Sequence, residues 1–366
     1  MANGAGAARY WRRSGIRWNR SRPVTLALAA RTVHRLEVAA DADEPVSATA
    51  ENRFCTAVGG VYDLSVATGM PTWPEIQRLI ARELGERVYD ARPLRPPKRF
   101  GMTWAARAQE TDAIVVKIRD SDEGRADEKA QWCAAHLPAL GARGYPVPAI
   151  LWHGMISPEW QVTIQNRLPG RPLTALDGPI LEEALRLVEL QADAGITAAD
   201  RDFADYIANV LFEDWDQVWD DAPRACAAAG PLCERLRRWL EPVWGMRLPP
   251  ADYTHNDLNP SNILADGTRI TGVVDWDEFG LGSRALDLIA LALDCERFGG
   301  HNAADRLLAR AAQVAGGGGL RCLISYRAVA WLAHSTREGQ THDTSPEDGY
   351  CAAIRDILGR LEAVGG

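Results

Sequence analysis

The chain has 366 residues, 46% hydrophobic and 25% charged, with a formal net charge of −8. Such a composition belongs to a globular protein with one large core or two modest ones. The negative balance argues against a general nucleic-acid binder, and no apolar run approaches the ~18 residues a membrane span requires.

Residues 1–69 look foreign to the remainder. They hold nine arginines and six acids, so the net charge divides into +3 before Met70 and −11 from there on. The first 35 residues carry eight arginines, no acid and no hydrophobic period. An Arg-rich, acid-poor start fits a transit peptide, and Arg12-Arg13 fits a twin-arginine signal except that Val24 to Ala30 is too short. The expectation is a disordered or non-native N-terminal extension, with the folded chain starting at Met70. The seven cysteines (55, 133, 226, 233, 295, 322 and 351) form no C-x-x-C pair and are odd in number, so they read as thiols of a cytoplasmic protein.

After Met70, Thr72 and Glu75 form a T-x-x-E capping signature with Pro74 in the first turn. Ile76, Leu79, Ile80 and Leu84 then share a helical face, and Gly85 supplies the stop. Val88 to Arg119 is expected to form three antiparallel strands, with Phe100-Gly101-Met102-Thr103 as a hairpin. In the last strand Ile114, Val116 and Ile118 alternate with Lys117 on the opposite face. Only three of the 41 basic residues are lysine (98, 117 and 129), so Lys117 stands out from an ordinary exposed strand lysine. Gly124 to Leu140 has a helical pattern with Glu123 just before it and Asp127 and Glu128 near its start. Pro146-Val147-Pro148 breaks the chain before two strands, Ala149 to Trp152 and Gln161 to Gln165.

Pro179 to Leu248 reads as helices, with Leu181, Leu185, Val188 and Ala192 on one face. Eight of the 22 residues from Asp200 to Asp221 are acidic, including Asp205, Asp214, Asp216 and Asp221. They fit either the solvated side of amphipathic helices or a negative wall that attracts a cationic acceptor. Beyond Asp294, two or three further helices are expected around Gly316 to Gly319.

The stretch Ala251 to Asp294 carries the chemistry. His255-Asn256-Asp257 with Asn262 stands beside Ile263-Leu264, and Asp275-Trp276-Asp277 follows the β-branched run Ile270 to Val274. With Asp266-Gly267 as a turn signal, the pattern is loop, strand, tight turn, strand, which brings Asp257, Asn262 and Asp275 together. Asp and Asn also serve turns. Yet these residues in this order suit phosphoryl transfer, in which an Asn and a later Asp hold magnesium and a further Asp orients the attacking hydroxyl.

This segment resembles the aminoglycoside phosphotransferase and choline kinase-like family of small-molecule kinases, whose pattern is H-G-D-x-x-x-x-N followed by an Asp-Trp pair. The resemblance implies an α+β, two-lobed protein-kinase-like fold, with a small antiparallel-sheet N-lobe at 70–165 and a larger helical C-lobe at 166–366. It further implies Asp257 as catalytic base, His255 as brace of the catalytic loop, Asn262 and Asp275 as Mg²⁺ ligands, and Asp287 as the anchor of that loop. By the same resemblance Lys117 would hold the nucleotide phosphates with Glu128 as its partner, Glu123 and Asp127 being competitors for that place. Gly101, Met102 and Thr103 would lie over those phosphates. The backbone of Gln165, Asn166 and Arg167 would form the hinge that binds adenine. Asn256 replaces the usual Gly, Asn259 a frequent His, and Ser283-Arg284 an Asp-Pro pair. The implied reaction moves the γ-phosphate of ATP or GTP to a hydroxyl of a small, cationic acceptor such as an antibiotic. A metabolite kinase acting on choline or homoserine, and a catalytically silent pseudokinase, are the alternatives. No nucleic acid or membrane partner is expected, and oligomeric state is left open.

Overall fold

The computed structural model describes residues 70–94, 101–110, 112–121, 126–194, 203–213, 217–248, 252–337 and 346–365. The expected extension at 1–69 lies outside them, as does Phe100.

The first element is helix α1 (Trp73–Leu84), which buries Ile76, Leu79 and Ile80. The Glu75 carboxylate reaches back to the backbone N–H of Thr72 at 2.7 Å and its hydroxyl at 2.8 Å, and Gly85 closes the helix at φ +72°. These are the start and stop that the sequence specified. The helix packs on a five-stranded antiparallel sheet of β1 (Val88–Pro93), β2 (Gly101–Ala108), β3 (Asp112–Asp120), β4 (Ile150–Ser157) and β5 (Trp160–Asn166), ordered β1-β2-β3-β5-β4.

Period-2 alternation fixes β3 in this sheet. Ile114, Val116 and Ile118 are buried on one face, while Lys117 and Arg119 share the other. Gly101 pairs with Arg119, Met102 with Ile118 and Thr103 with Lys117. These three residues open strand β2 on the far side of the β1–β2 hairpin, where Leu94 N–H donates to the Thr103 carbonyl at 2.9 Å. A Cβ at Gly101 would collide with the carbonyl of Ile118, so close strand approach accounts for this glycine. Between β3 and β4 runs helix α2 (Ala126–Ala142), which lies over β4 and β5.

Beyond β5 the chain is mainly helical. In order come β6 (Arg171–Pro172), α3 (Gly178–Glu189), α4 (Phe203–Phe212), the short α5 (Val218–Asp221) and α6 (Ala229–Leu240). Then follow β7 (Asp252–Thr254), β8 (Ile263–Asp266), β9 (Arg269–Val273) and β10 (Gly280–Gly282). The last elements are α7 (Ala285–Arg297), α8 (His301–Arg337) and α9 (Pro346–Gly365). Gly316 takes φ +69° and ψ 169° inside α8, so the expected break near the glycine run divides that helix in two.

Helix α7 is buried on all sides from Ala285 to Leu293. A helix apolar all round belongs in a core. Its leucines and isoleucine each contribute about 1.5–3 kcal/mol by leaving water. α8 and α9 enclose it, with α3 adding to the wall. Two small sheets, β7–β10 and β6-β8-β9, pack here, β9 against α3 and β10 against α4. Asp266 pairs with Arg269, so the β8–β9 turn consists of Gly267 and Thr268, one residue later than Asp266-Gly267. Gly267 occupies φ +59° at the first turn position. In β9, a Cβ at Gly272 would stand 2.9 Å from the Leu168 side chain, so only glycine fits this strand against the β5–β6 connection.

Candidate active site

The site grows from the ends of short strands, where the chain leaves the sheet and its polar groups need new partners. From β7 the loop runs through His255, Asn256 and Asp257 to a 3₁₀ turn at Pro260–Asn262, and enters β8. From β9 it passes Val274 and Asp275 into a second 3₁₀ turn at Trp276–Glu278. Two hydrogen bonds tie these loops together: Val274 N–H donates to the Asn262 carbonyl at 2.9 Å, and His255 Nε2 meets the Val274 carbonyl at 2.9 Å. The other ring nitrogen, Nδ1, accepts from the Asp257 N–H at 3.3 Å. His255 is wholly buried and packs on Trp276 at 4.5 Å between ring centroids.

Both loops bend through positive φ, at Asn256 (+66°) and Asp275 (+67°). Left-handed backbone costs an ordinary L-residue about 1–2 kcal/mol, and Asn and Asp bear it best after Gly. That explains how Asn256 stands in for a glycine. Its Nδ2 adds a 2.7 Å bond to the Glu278 carbonyl.

Asp287 anchors the first loop from α7. Its Oδ1 accepts from Asn256 N–H at 2.9 Å, and its Oδ2 from His255 N–H at 2.8 Å and from Gln191 Nε2 at 2.9 Å. Burial raises its pKa, and its contact with His255 and these three hydrogen bonds oppose that rise.

Asp257 itself faces outward, its side chain 46% exposed. Asn262 Nδ2 donates to the Asp257 carbonyl at 3.0 Å and lies 3.4 Å from Oδ2, which leaves the Asn262 Oδ1 available for another ligand. Arg327, from α8, donates Nη1 to the Asn256 carbonyl at 3.0 Å and Nη2 to Asp257 Oδ1 at 3.3 Å.

Across from these loops stands β3. Lys117, 8% exposed, places Nζ 2.7 Å from Asp275 Oδ1 and 3.4 Å from Asp277 Oδ1. Arg119, two residues on and on the same strand face, pairs with Asp277 and lies 3.5 Å from Asp275. The Lys117 ammonium, ahead of Arg119 and His255, holds the Asp275 carboxyl far below the usual carboxylate range. The result is a doubly cationic strand facing a doubly acidic turn, 158 residues apart in sequence for Lys117 and Asp275.

A sequence profile described as the phosphotransferase enzyme family matches residues 100–361. The chain belongs to this family. Among relatives, hygromycin-B 4-O-kinase of Escherichia coli is 30% identical over 158 residues, covering 37% of this chain and 44% of its own. Viomycin phosphotransferase of Streptomyces vinaceus is 31% identical over 140 residues, covering 35% of this chain and 48% of its own. The chain thus spans about half the length of the curated relatives it matches. Among solved structures, aminoglycoside phosphotransferase APH(4)-Ia superposes with TM-score 0.57 at 20% identity, covering 78% of this chain and 99% of its own. Aminoglycoside 2′-phosphotransferase-IIIa gives TM-score 0.52 at 13% identity, covering 80% and 100%. At these identities the likeness establishes the two-lobed kinase-like fold.

Within this phosphotransferase fold, His255, Asp257, Asn262, Asp275, Asp287 and Lys117 converge as the sequence pattern required. Glu128 does not join them in the expected way. It is exposed on α2, and the Lys117 ammonium goes to Asp275 and Asp277 instead. The α2 face turned to the site carries Cys133, whose Sγ lies 3.2 Å from the Trp276 carbonyl. At the hinge, Asn166 N–H donates to the Ala149 carbonyl at 3.1 Å and Arg167 N–H to the Ala113 carbonyl at 2.8 Å. Asn166 Oδ1 accepts from Ala149 N–H at 2.6 Å, and Gln165 is buried. Those two N–H groups are therefore committed inside the protein.

Arg119, Asp277 and Arg327 were not assigned a role from the sequence. Period 2 from Lys117 would have found Arg119, and the Asp-Trp-Asp spacing marked Asp277. Arg327 carried no local signal. Arg284, the departure from Asp-Pro, bonds Asp252 at 3.0 Å and Glu189 at 3.2 Å and so serves the scaffold. Of the acidic stretch, Asp200, Asp202, Asp214 and Asp216 lie outside the described residues. Asp205 pairs with Arg247 and Asp221 with Arg224, so these two do not line an open negative wall.

Proposed function

We propose that the protein transfers the γ-phosphate of ATP or GTP to a hydroxyl group of a small cationic acceptor of the aminoglycoside kind. The observation that carries this reading is the convergence of Asp257, Asn262, Asp275 and Lys117 at two loops that Val274 ties together through Asn262 and His255. Membership of the phosphotransferase family supports it, as do relatives named as kinases of hygromycin B and viomycin. A fold relative bound to both AMP-PNP and hygromycin B supports the pairing of nucleotide and acceptor.

In this reading residues 70–165 form the nucleotide lobe and 166–366 the catalytic and acceptor lobe. The acceptor hydroxyl approaches Asp257. Its oxygen forms a bond to the γ-phosphorus as the bond from that phosphorus to the β–γ bridging oxygen breaks, and its proton passes to the Asp257 carboxylate. The nucleoside diphosphate leaves with the bridging electrons. Lys117 and Arg119 supply positive charge where phosphate oxygens gather. His255 holds the Asp257 backbone, and Asp287 holds His255 and Asn256.

Asn262 and Asp275 offer hard oxygen donors, an amide oxygen and a carboxylate held ionised, which fit Mg²⁺. Among the described residues no cluster of three or more His, Cys, Asp or Glu would hold a metal unaided. The fit is therefore to a cation that completes its shell with phosphate and water. When bound, Mg²⁺ would neutralise charge on the phosphates. A coupled assay of nucleoside diphosphate release over aminoglycosides, peptide antibiotics, macrolides, choline and homoserine tests the reading. Acceptor-stimulated release that needs divalent metal is expected with at least one aminoglycoside or peptide antibiotic. Stimulation by choline or homoserine alone would replace the acceptor class.

A further inference from the structure

Of the residues around Asp257, Arg327 is the one whose position the reaction scheme leaves unexplained. It stands 70 residues beyond Asp257, on the second half of α8, and its side chain is only 19% exposed. Burying a guanidinium is costly unless its donors are matched, and a core helix offers cheaper alternatives to arginine. Here the match is specific. Nη1 donates to the carbonyl of Asn256, the residue held at positive φ, and Nη2 to Oδ1 of Asp257. Nε is buried with no hydrogen-bond partner. Asp294 from α7 and Tyr350 from α9 complete the surroundings. Asp294 lies two helical turns after Asp287 on the same face of α7, so one helix anchors the loop and also supplies a counter-charge to the arginine.

We propose that Arg327 is the positioning residue of this site: its two Nη groups clamp the Asp257 carboxylate and the peptide before it, committing Oδ1 and leaving Oδ2 to receive the acceptor proton. The proposal rests on Asp257 being the base. The two oxygens differ in their surroundings. Oδ1 accepts a charge-assisted bond from a guanidinium fixed in a core helix. Oδ2 meets only the neutral amide of Asn262 at 3.4 Å, so the two oxygens differ in the charge of their partner and not in its distance. A carboxylate with one oxygen restrained has its other lone pairs aimed, and aim matters, because a displacement of about 1 Å in a catalytic group can cost about 100-fold in rate. Asp294 gives the clamp a second consequence. Its charge and that of Asp257 repel, and Arg327 attracts both. Without the guanidinium the two carboxylates lose the cation they share, which would swing Asp257 away from the loop.

The test is a double-mutant cycle on the full-length protein with Arg327→Gln and Asp257→Asn. Nucleoside diphosphate release is measured with hygromycin B as acceptor and, separately, with water. Nucleotide affinity and melting temperature are measured on every variant. Arg327→Gln is expected to lower kcat by about 10- to 100-fold while nucleotide affinity holds. Arg327→Lys, which keeps the charge but reaches only one of the two acceptors, should fall between. Millimolar guanidinium should restore part of the Arg327→Gln rate, and urea, of the same shape but neutral, should not. On the Asp257→Asn background, the Arg327→Gln effect should vanish, since nothing is left to aim. Loss of activity in Asp257→Asn with a normal kcat in Arg327→Gln overturns the clamp and spares the base. Near-normal turnover in Asp257→Asn overturns both. Effects of the two substitutions that simply multiply, or a rate loss tracked by melting temperature and rescued equally by urea, would make Arg327 a packing residue only.

Discussion

At residue 256 the backbone turns left-handed, and the side chain there does a second job by bonding the Glu278 carbonyl. Asn256→Gly keeps the turn and loses the bond, whereas Asn256→Ala loses the bond and strains the turn. Chemical denaturation should therefore find the alanine variant less stable than the glycine variant by about 1 kcal/mol. Asp257 and Asp275 separate by role. Asp257→Ala is expected to abolish turnover with Mg-nucleotide affinity nearly unchanged, while Asp275→Ala should weaken metal-dependent nucleotide binding as well. Equilibrium binding with and without Mg²⁺ checks both. These side chains were legible in the sequence because their chemistry is local: Asp, Asn and His at fixed spacing beside β-branched strands. The partner of Lys117 was not. A helical pattern at 126–142 reveals a helix without its rotation against the sheet, and that rotation points Cys133, not Glu128, at the Trp276 turn. Arg327 lay beyond reach altogether, since only tertiary packing brings α8 beside Asp257.

Helix α7 joins core and chemistry in one element. Its leucines fill the interior, and Asp287 near its start takes three hydrogen bonds from His255, Asn256 and Gln191. Asp287→Ala would leave those buried donors unmatched, at a cost of about 1–3 kcal/mol for each that water cannot reach. A clear drop in melting temperature together with lost turnover is the expected pair of results. Unchanged stability would show that the loop holds itself. Legibility at this scale followed the strength of the local signal. The capped α1, the alternating β3 and the glycine break in α8 were all readable. The β8–β9 turn was placed one residue early, because Asp-Gly scores as a turn pair although pairing of Asp266 with Arg269 makes Gly267-Thr268 the loop.

For the whole molecule, residues 71–366 form one compact unit that holds every proposed site residue. A chain starting at Met70 should bind nucleotide and melt close to the full-length protein, and insolubility or a large fall in melting temperature would refute that expectation. The charge of −11 over this portion bears on the acceptor. A cationic acceptor is drawn in at long range, and salt screens that attraction over about 8 Å at physiological ionic strength. Its KM should rise with salt while kcat stays level. Neutralising Asp214 and Asp216 together should do the same at fixed salt. Ion pairing at Asp205 and Asp221 removes those two from the attracting set.

The most direct measurement follows labelled γ-phosphate from ATP or GTP in the presence of Mg²⁺ and hygromycin B or viomycin, with wild-type protein and with Asp257→Ala beside it. The account predicts label on an acceptor hydroxyl with the wild-type protein, and none with a variant that still binds nucleotide. Label transfer by Asp257→Ala at a near-normal rate, or tight Mg-nucleotide binding by the wild-type protein with no transfer to any hydroxyl acceptor, would contradict it.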